Sequence, residues 1–141
     1  MTATPWHFWI IVTIAVLWHG FGAFDYTATQ YDWGPWLAMA TGPQERFAET
    51  MPDWVDGVWA VSVWLGLLGT LMLAARMSFA PLILSLSMMA TVVLAIWLSV
   101  FSDPTVMELV GWAGLATIWL AALVTVLLWL YARDLHKAEI I

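Results

Sequence analysis

Three histidines and ten carboxylates are the groups in this chain that could carry acid–base, ligation or transport chemistry, and cysteine is absent. Without a thiol there is no disulfide, thiolate-ligated metal or thiol redox couple. His19 is the one ionisable residue well inside an uncharged stretch. It precedes Asp25 by about 9 Å along a helix axis, and an ionisable group at membrane depth is a functional candidate by default. On a helix, His19, Gly22 or Ala23, and Tyr26 share one face, with Asp25 at its mouth. The candidate site is therefore an outward-facing pocket of His19, Asp25, Tyr26, Gln30, Asp53, Trp54, Asp56 and Trp59. A plainer arrangement has neutral His19 hydrogen-bonded to a Thr, a Ser or a backbone carbonyl, fixing helix register, with the carboxylates solvated.

Sharper chemistries can be weighed against what they require. Bis-histidine haem ligation needs two facing histidines, and His7 and His136 fall towards the opposite membrane surface. A chlorophyll-type pigment can use one axial histidine, and Ala15, four residues before His19, would give such a ring clearance, so His19 is a weak candidate for a single-ligand pigment. No cofactor is otherwise expected, and no metal site. Proton-coupled drug export by small four-helix proteins needs a carboxylate inside the membrane, whereas every Asp and Glu here lies at a helix end or beyond. No nucleophile elbow or zinc-hydrolase motif is present, so an enzyme is not expected.

The elements that must position these residues follow from composition. Of 141 residues, 63% are hydrophobic and 10% charged, twelve are tryptophan, and the mean hydropathy is +0.87. A soluble domain carries about 25% charge, so a soluble globule is excluded, and so is disorder. Four basic residues against ten acidic ones exclude nucleic-acid binding. Crossing a hydrocarbon core takes about 20 apolar residues in a helix, because unpaired backbone amides find no water there. Four stretches are long enough, each for one crossing, and predict helices at about 6–26, 55–75, 80–101 and 107–132. The first is read as a retained helix rather than a secretory leader: no basic residue precedes it, and Asp25-Tyr26 follows where small residues would be needed. The fold class is an all-α polytopic membrane protein, one transmembrane domain over 1–141. It is a four-helix bundle with a long outer loop between the first two spans. Within that loop, Pro43 to Thr50 reads as a short interfacial helix.

Small residues at a spacing of four predict the seams, since helices in lipid associate through close backbone approach and polar contacts. The second span offers Gly66, Thr70 and Ala74, the third Ser87, Thr91, Ala95 and Ser99, and the fourth Ala113, Thr117, Ala121 and Thr125. Basic residues favour the cytoplasmic side. Arg76, Arg133 and Lys137 share one side and Arg46 the other, so both termini are predicted cytoplasmic, and eight carboxylates, Glu45 among them, fall outside. Most tryptophans sit near the two interfaces, where an amphipathic ring is at home. Trp18, Trp64, Trp97 and Trp119 lie deeper, and their indole N–H groups call for partners.

The run Gly22-Ala-Phe-Asp25-Tyr26-Thr-Ala-Thr29-Gln30 closes the first span. Pro43-Gln-Glu, Pro52-Asp-Trp54, Trp59-Ala-Val-Ser-Val-Trp64-Leu-Gly66-Leu-Leu-Gly69, Ala80-Pro81 and Leu130-Tyr131-Ala132-Arg133 follow. Over its full length the chain resembles a group of small bacterial inner-membrane proteins of this size, sometimes labelled sugar transporters. The resemblance implies their fold and a bacterial cytoplasmic-membrane location, and it brings no catalytic or transport residues with it. The leading functional expectation is a non-enzymatic accessory or assembly subunit that docks in the lipid bilayer onto larger membrane proteins, or onto copies of itself. The alternative is a small-solute transporter or binding protein for a sugar or cation, and the third is a pigment-associated subunit of a photosynthetic complex.

Overall fold

The computed structural model describes residues 4–40 and 42–141, Glu45 for its backbone alone, so the side-chain placement expected for Glu45 lies outside the described part. Its regular elements are all helical: α1 (Phe8–Gln30), α2 (Gly34–Leu37), α3 (Gly42–Glu49), α4 (Asp53–Ala74), α5 (Ala80–Ile96) and α6 (Val106–Lys137). Four helices are long and apolar enough to cross a membrane: α1, α4, α6, and α5 together with a π-helical turn at Trp97–Phe101 that continues it. Ile10, Ile14, Leu17, Leu68, Leu71, Leu86, Leu123 and Leu127 are exposed on their outer faces. In water such a surface would drive aggregation; in a bilayer it meets lipid tails as apolar as itself.

The connection between α1 and α4 is not a bare loop. Pro35 stands in the first turn of α2, and Pro43 is the second residue of α3, positions where a missing N–H costs no helix bond. Trp36 anchors α2 back onto α1: its indole N–H donates to Asp25 Oδ1 at 2.9 Å, and its ring meets Phe24 and Phe21 edge-on. In α3, Phe47 turns towards Trp97, with ring centroids 6.3 Å apart.

The helices stand in the order α1–α4–α5–α6, each packed on the next. The α1 seam is Phe8, Val12, Ala15, His19 and Ala23, a stripe at steps of three and four. It lies on α4, where Gly22 approaches Val63 and His19 approaches Gly66. Between α4 and α5, Gly69 admits Leu84, and the Ser87 hydroxyl donates to the Ser62 carbonyl at 2.6 Å. From α6, Trp119 Nε1 donates to Ser99 Oγ in the π-helical turn at 3.0 Å. Hydrogen bonds of this kind between membrane helices are worth about 0.6–2 kcal/mol each. At the end that carries the termini, Phe8, Val12, Leu73, Ala80, Leu84, Leu128, Ala132 and Leu135 form one apolar core, and His7 of the α1 cap lies beside Tyr131. There Arg76 also reaches the rings of Phe8 and Trp9.

The small-residue stripes fall unevenly on these seams. Gly66, Thr70, Ser87 and Ala95 are buried, and Ala74, Thr91 and Ser99 are half-buried. On α6 only Thr125 is buried and Ala121 half-buried, whereas Ala113 and Thr117 are exposed. The reason is drift: a strict spacing of four turns about 40° per step around a helix of 3.6 residues per turn, so the stripe leaves the seam between Thr125 and Ala113. Gly111 interrupts α6 with φ +70° and ψ −161°, a backbone region essentially confined to glycine. Beyond the break the buried face is Ala122, Thr125, Leu128, Ala132 and Leu135. Before it, a Thr105–Glu108 capping box starts the helix: Thr105 N–H donates to Glu108 Oε2 at 2.8 Å.

Candidate functional site

His19 sits where α1 crosses α4, and its position follows from what surrounds it. Ala15 one turn earlier and Gly66 opposite leave the imidazole room, and the ring edge fills the place a side chain at Gly66 would take. His19 Nδ1 lies 2.9 Å from the Ala15 carbonyl oxygen, which can only accept, so Nδ1 carries the proton. Thr70 Oγ1 stands 3.3 Å from the same nitrogen and donates its own proton to the Gly66 carbonyl. Nε2 therefore presents a bare lone pair. It is buried and has no hydrogen-bond partner, in a residue only 4% exposed. An unpaired buried acceptor costs about 1–3 kcal/mol.

The imidazole is part of the wall of a cavity of about 420 Å³. All four spanning helices contribute: Trp18, His19 and Asp25 from α1, Trp59, Ser62 and Val63 from α4, Thr91, Leu94, Ala95 and Leu98 from α5 and its continuation, and Thr117, Ile118, Ala121 and Thr125 from α6. Gln44, Phe47 and Ala48 of α3, with Met51 just after it, cover one end. The Gly111 break brings Val106, Leu109 and Val110 onto the wall. The lining is mainly apolar, and its hydroxyls are already engaged: Ser62 donates to Trp59 O, Thr91 to Ser87 O, Thr117 to Ala113 O and Thr125 to Ala122 O. Such a volume, with few polar groups and apolar walls, has the character of a small-molecule site.

The eight residues expected to share one outer pocket are distributed over four places. His19, Asp25 and Trp59 line the cavity. Tyr26, Gln30 and Asp56 join α1 to α4 beyond it: Gln30 Nε2 donates to Asp56 Oδ1 at 2.6 Å, the Tyr26 hydroxyl to Oδ2 at 3.4 Å, and the Tyr26 ring meets Trp59 edge-on. Gln30, Asp53 and Asp56 also edge a separate acidic depression with Asp32 and Glu49. Trp54 packs on Trp97. Asp25 lies at a divide, since it also lines a further depression with Trp36 and Trp59.

Sequence reasoning missed the apolar body of the site. Ser62 continues the α4 seam that the pattern of fours already traced, but the contribution of Val110 depends on the backbone break at Gly111. Among the described residues no group of three or more His, Asp or Glu is placed to hold a metal ion. Among the described residues the partners of His19 are the Ala15 carbonyl and the Thr70 hydroxyl, both at Nδ1. The arrangement offers shape and apolar surface. Comparison of the chain with protein-family models, curated proteins and solved structures finds no match.

Proposed function

We propose that the chain is a non-enzymatic membrane-embedded binding protein that takes a small, mostly apolar molecule from the bilayer into the cavity between α1 and α6. The observation that carries this reading is the cavity itself: about 420 Å³, walled by four spanning helices and lined mainly by apolar side chains. Its walls suit a lipid-soluble molecule better than a sugar, whose many hydroxyls would find few free partners among these side chains. Arg76, Arg133 and Lys137 gather at the end of the bundle with the termini, which supports a cytoplasmic location for that end and, with it, a cavity that lies towards the outer leaflet. A bacterial cytoplasmic membrane is the setting we propose. The test is to purify the protein in mild detergent and extract what it retains, beside an Ala121→Phe variant that fills the cavity. A small apolar molecule held by the wild type and lost from the variant is expected; identical extracts would remove the reading.

A second reading, docking onto a larger membrane assembly or a second copy, is supported by Ala113. It is exposed on α6 away from the cavity, where a small residue permits close approach of another helix. This reading predicts a particle much heavier than 15.8 kDa plus its detergent belt. A monomer that Ala113→Leu leaves unchanged in mass and in co-purifying chains would count against it.

A further inference from the structure

We infer that the cavity takes a lipophilic organic cation, an ammonium group on an apolar body, and that the Asp25 carboxylate is its counter-ion. This rests on the cavity-binding reading and gives it a ligand class.

Among the described residues on the wall of the cavity of about 420 Å³, Asp25 is the one carboxylate, and neither Lys nor Arg joins it. Asp25 also lines the depression it shares with Trp36 and Trp59. That depression has Thr29, Leu37 and Ala48 in common with the acidic one edged by Asp32, Glu49, Asp53 and Asp56. No basic residue lines either of them. Arg46, the basic residue of α3, edges a different depression, beside Pro43 and Pro104. Asp25 thus stands where an apolar interior meets an acidic outer end, and the field along that boundary favours positive charge.

The carboxylate has one oxygen to spare. Oδ1 accepts the Trp36 indole N–H at 2.9 Å. Oδ2 has no hydrogen-bond or ion-pair partner among the described residues. The fully buried side-chain atoms that lack a partner are His19 Nε2 and the Tyr131 hydroxyl, so Oδ2, on a half-buried side chain, keeps open surface. A carboxylate drawn out of water with no cation beside it is costly. A ligand cation supplies the missing charge. Trp59, which lines both spaces with Asp25, adds an aromatic ring of the kind that attracts an ammonium ion. The ligand's apolar body then lies against Leu94, Leu98 and Ile118.

Other ligand chemistries fit less well. An anion would meet Asp25 with no basic side chain on the wall to offset either charge. A bare metal ion needs several oxygen ligands, and among the described residues no three His, Asp or Glu are placed to supply them. A neutral ketone could accept from an indole N–H of Trp18 or Trp59, both on the wall, but it would leave the charge of Asp25 uncompensated.

The experiment uses the full chain in phosphatidylcholine nanodiscs, with affinities referred to the concentration of each probe in the lipid. The probes are para-hexylphenyl-trimethylammonium, its uncharged carbon isostere para-hexyl-tert-butylbenzene, and para-hexylacetophenone. The cation is expected to bind on the order of tenfold tighter than the isostere. That preference should vanish in Asp25→Asn, which keeps an oxygen for Trp36 and removes the charge, and persist in Asp134→Asn at the terminal end. Carbon NMR of wild-type aspartate side chains needs no stable variant: the Asp25 carboxyl resonance should move with the cation and stay in place with the isostere. Saturable binding of cation and isostere with equal affinity and an unmoved carboxyl resonance would overturn the counter-ion while leaving the cavity reading intact. So would a preference that survives Asp25→Asn, or a ketone that binds tighter than the cation. Saturable binding of none of the three would overturn both.

Discussion

The imidazole edge of His19 lies flush against the bare Cα of Gly66. A methyl group there would collide with Cδ2 and stand 2.7 Å from Nε2 and 2.9 Å from Ser87 Oγ. One glycine thus lets α1 and α4 close over a histidine and also leaves the histidine's second nitrogen without a partner. Because the obstruction is a packed ring and a bonded hydroxyl, not the far end of a flexible chain, the structure must shift to admit it. Gly66→Ala is expected to destabilise the bundle by about 1–3 kcal/mol, as overpacking does. In the double variant with His19→Ala much of that cost should disappear, with a coupling of about 0.5–3 kcal/mol between the two sites. Reversible unfolding in detergent micelles measures the four proteins of the cycle; additive effects would show that the two residues do not touch.

A second glycine is fixed by its backbone instead of its neighbours. Gly111 holds φ +70° and ψ −161°, and nothing stands within 4 Å of where its Cβ would be. Space is not the obstacle; conformation is. Gly111→Ala should cost on the order of 1–3 kcal/mol, although a naive helix-propensity argument predicts a gain. Gly57 supplies the control: it lies within α4, its Cβ would likewise meet nothing, and Gly57→Ala should stabilise by up to about 1 kcal/mol. Opposite shifts in the thermal midpoint of the two variants are the expected result. A stabilised Gly111→Ala would mean that α6 runs straight in the bilayer and that Val110 does not reach the cavity.

The four crossings were legible because they depend on bulk apolarity and length, and the α4 and α5 seams because small residues there recur every fourth position. Other features were not, for physical reasons. Three of the long helices end in Schellman-type caps at Asp32, Arg76 and Glu139, all at positive φ, where the usual glycine signal is missing. In the second of these, Arg76 N–H bonds to Leu73 O and Met77 N–H to Met72 O. The outer stripe of α6, Ala113 and Thr117, has the same spacing as a seam yet lies exposed, since a spacing of four drifts round a helix of 3.6 residues per turn and leaves the buried face of Thr125. For the site, His19 was marked by its chemistry alone. The grouping of Tyr26, Gln30, Asp53 and Asp56 with it rests on a shared helix face and a shared outer end of the spans, and α1–α4 packing ties Tyr26, Gln30 and Asp56 to one another beyond the cavity. The cavity is a property of what is missing between helices, which no single-chain pattern records.

That missing volume has a direction. α1 and α6 stand at the two ends of the helix row, and His7 and Tyr131 bring them together at the terminal end, with ring centroids 5.8 Å apart. Farther along, Trp18 and Ile118 line the cavity from α1 and α6. A ligand dissolved in the bilayer would then enter sideways between these two helices, without crossing the headgroup layer. The absence of native cysteine makes the geometry directly testable with introduced pairs. His7→Cys with Tyr131→Cys should be joined rapidly by a short bifunctional thiol reagent. Trp18→Cys with Ile118→Cys should require a longer one, and saturation with a cavity ligand should slow that reaction while leaving the first pair unaffected. Should the second pair link as readily as the first through the short reagent, the gap would be closed in the membrane, and access to His19 would have to come from the end covered by α3.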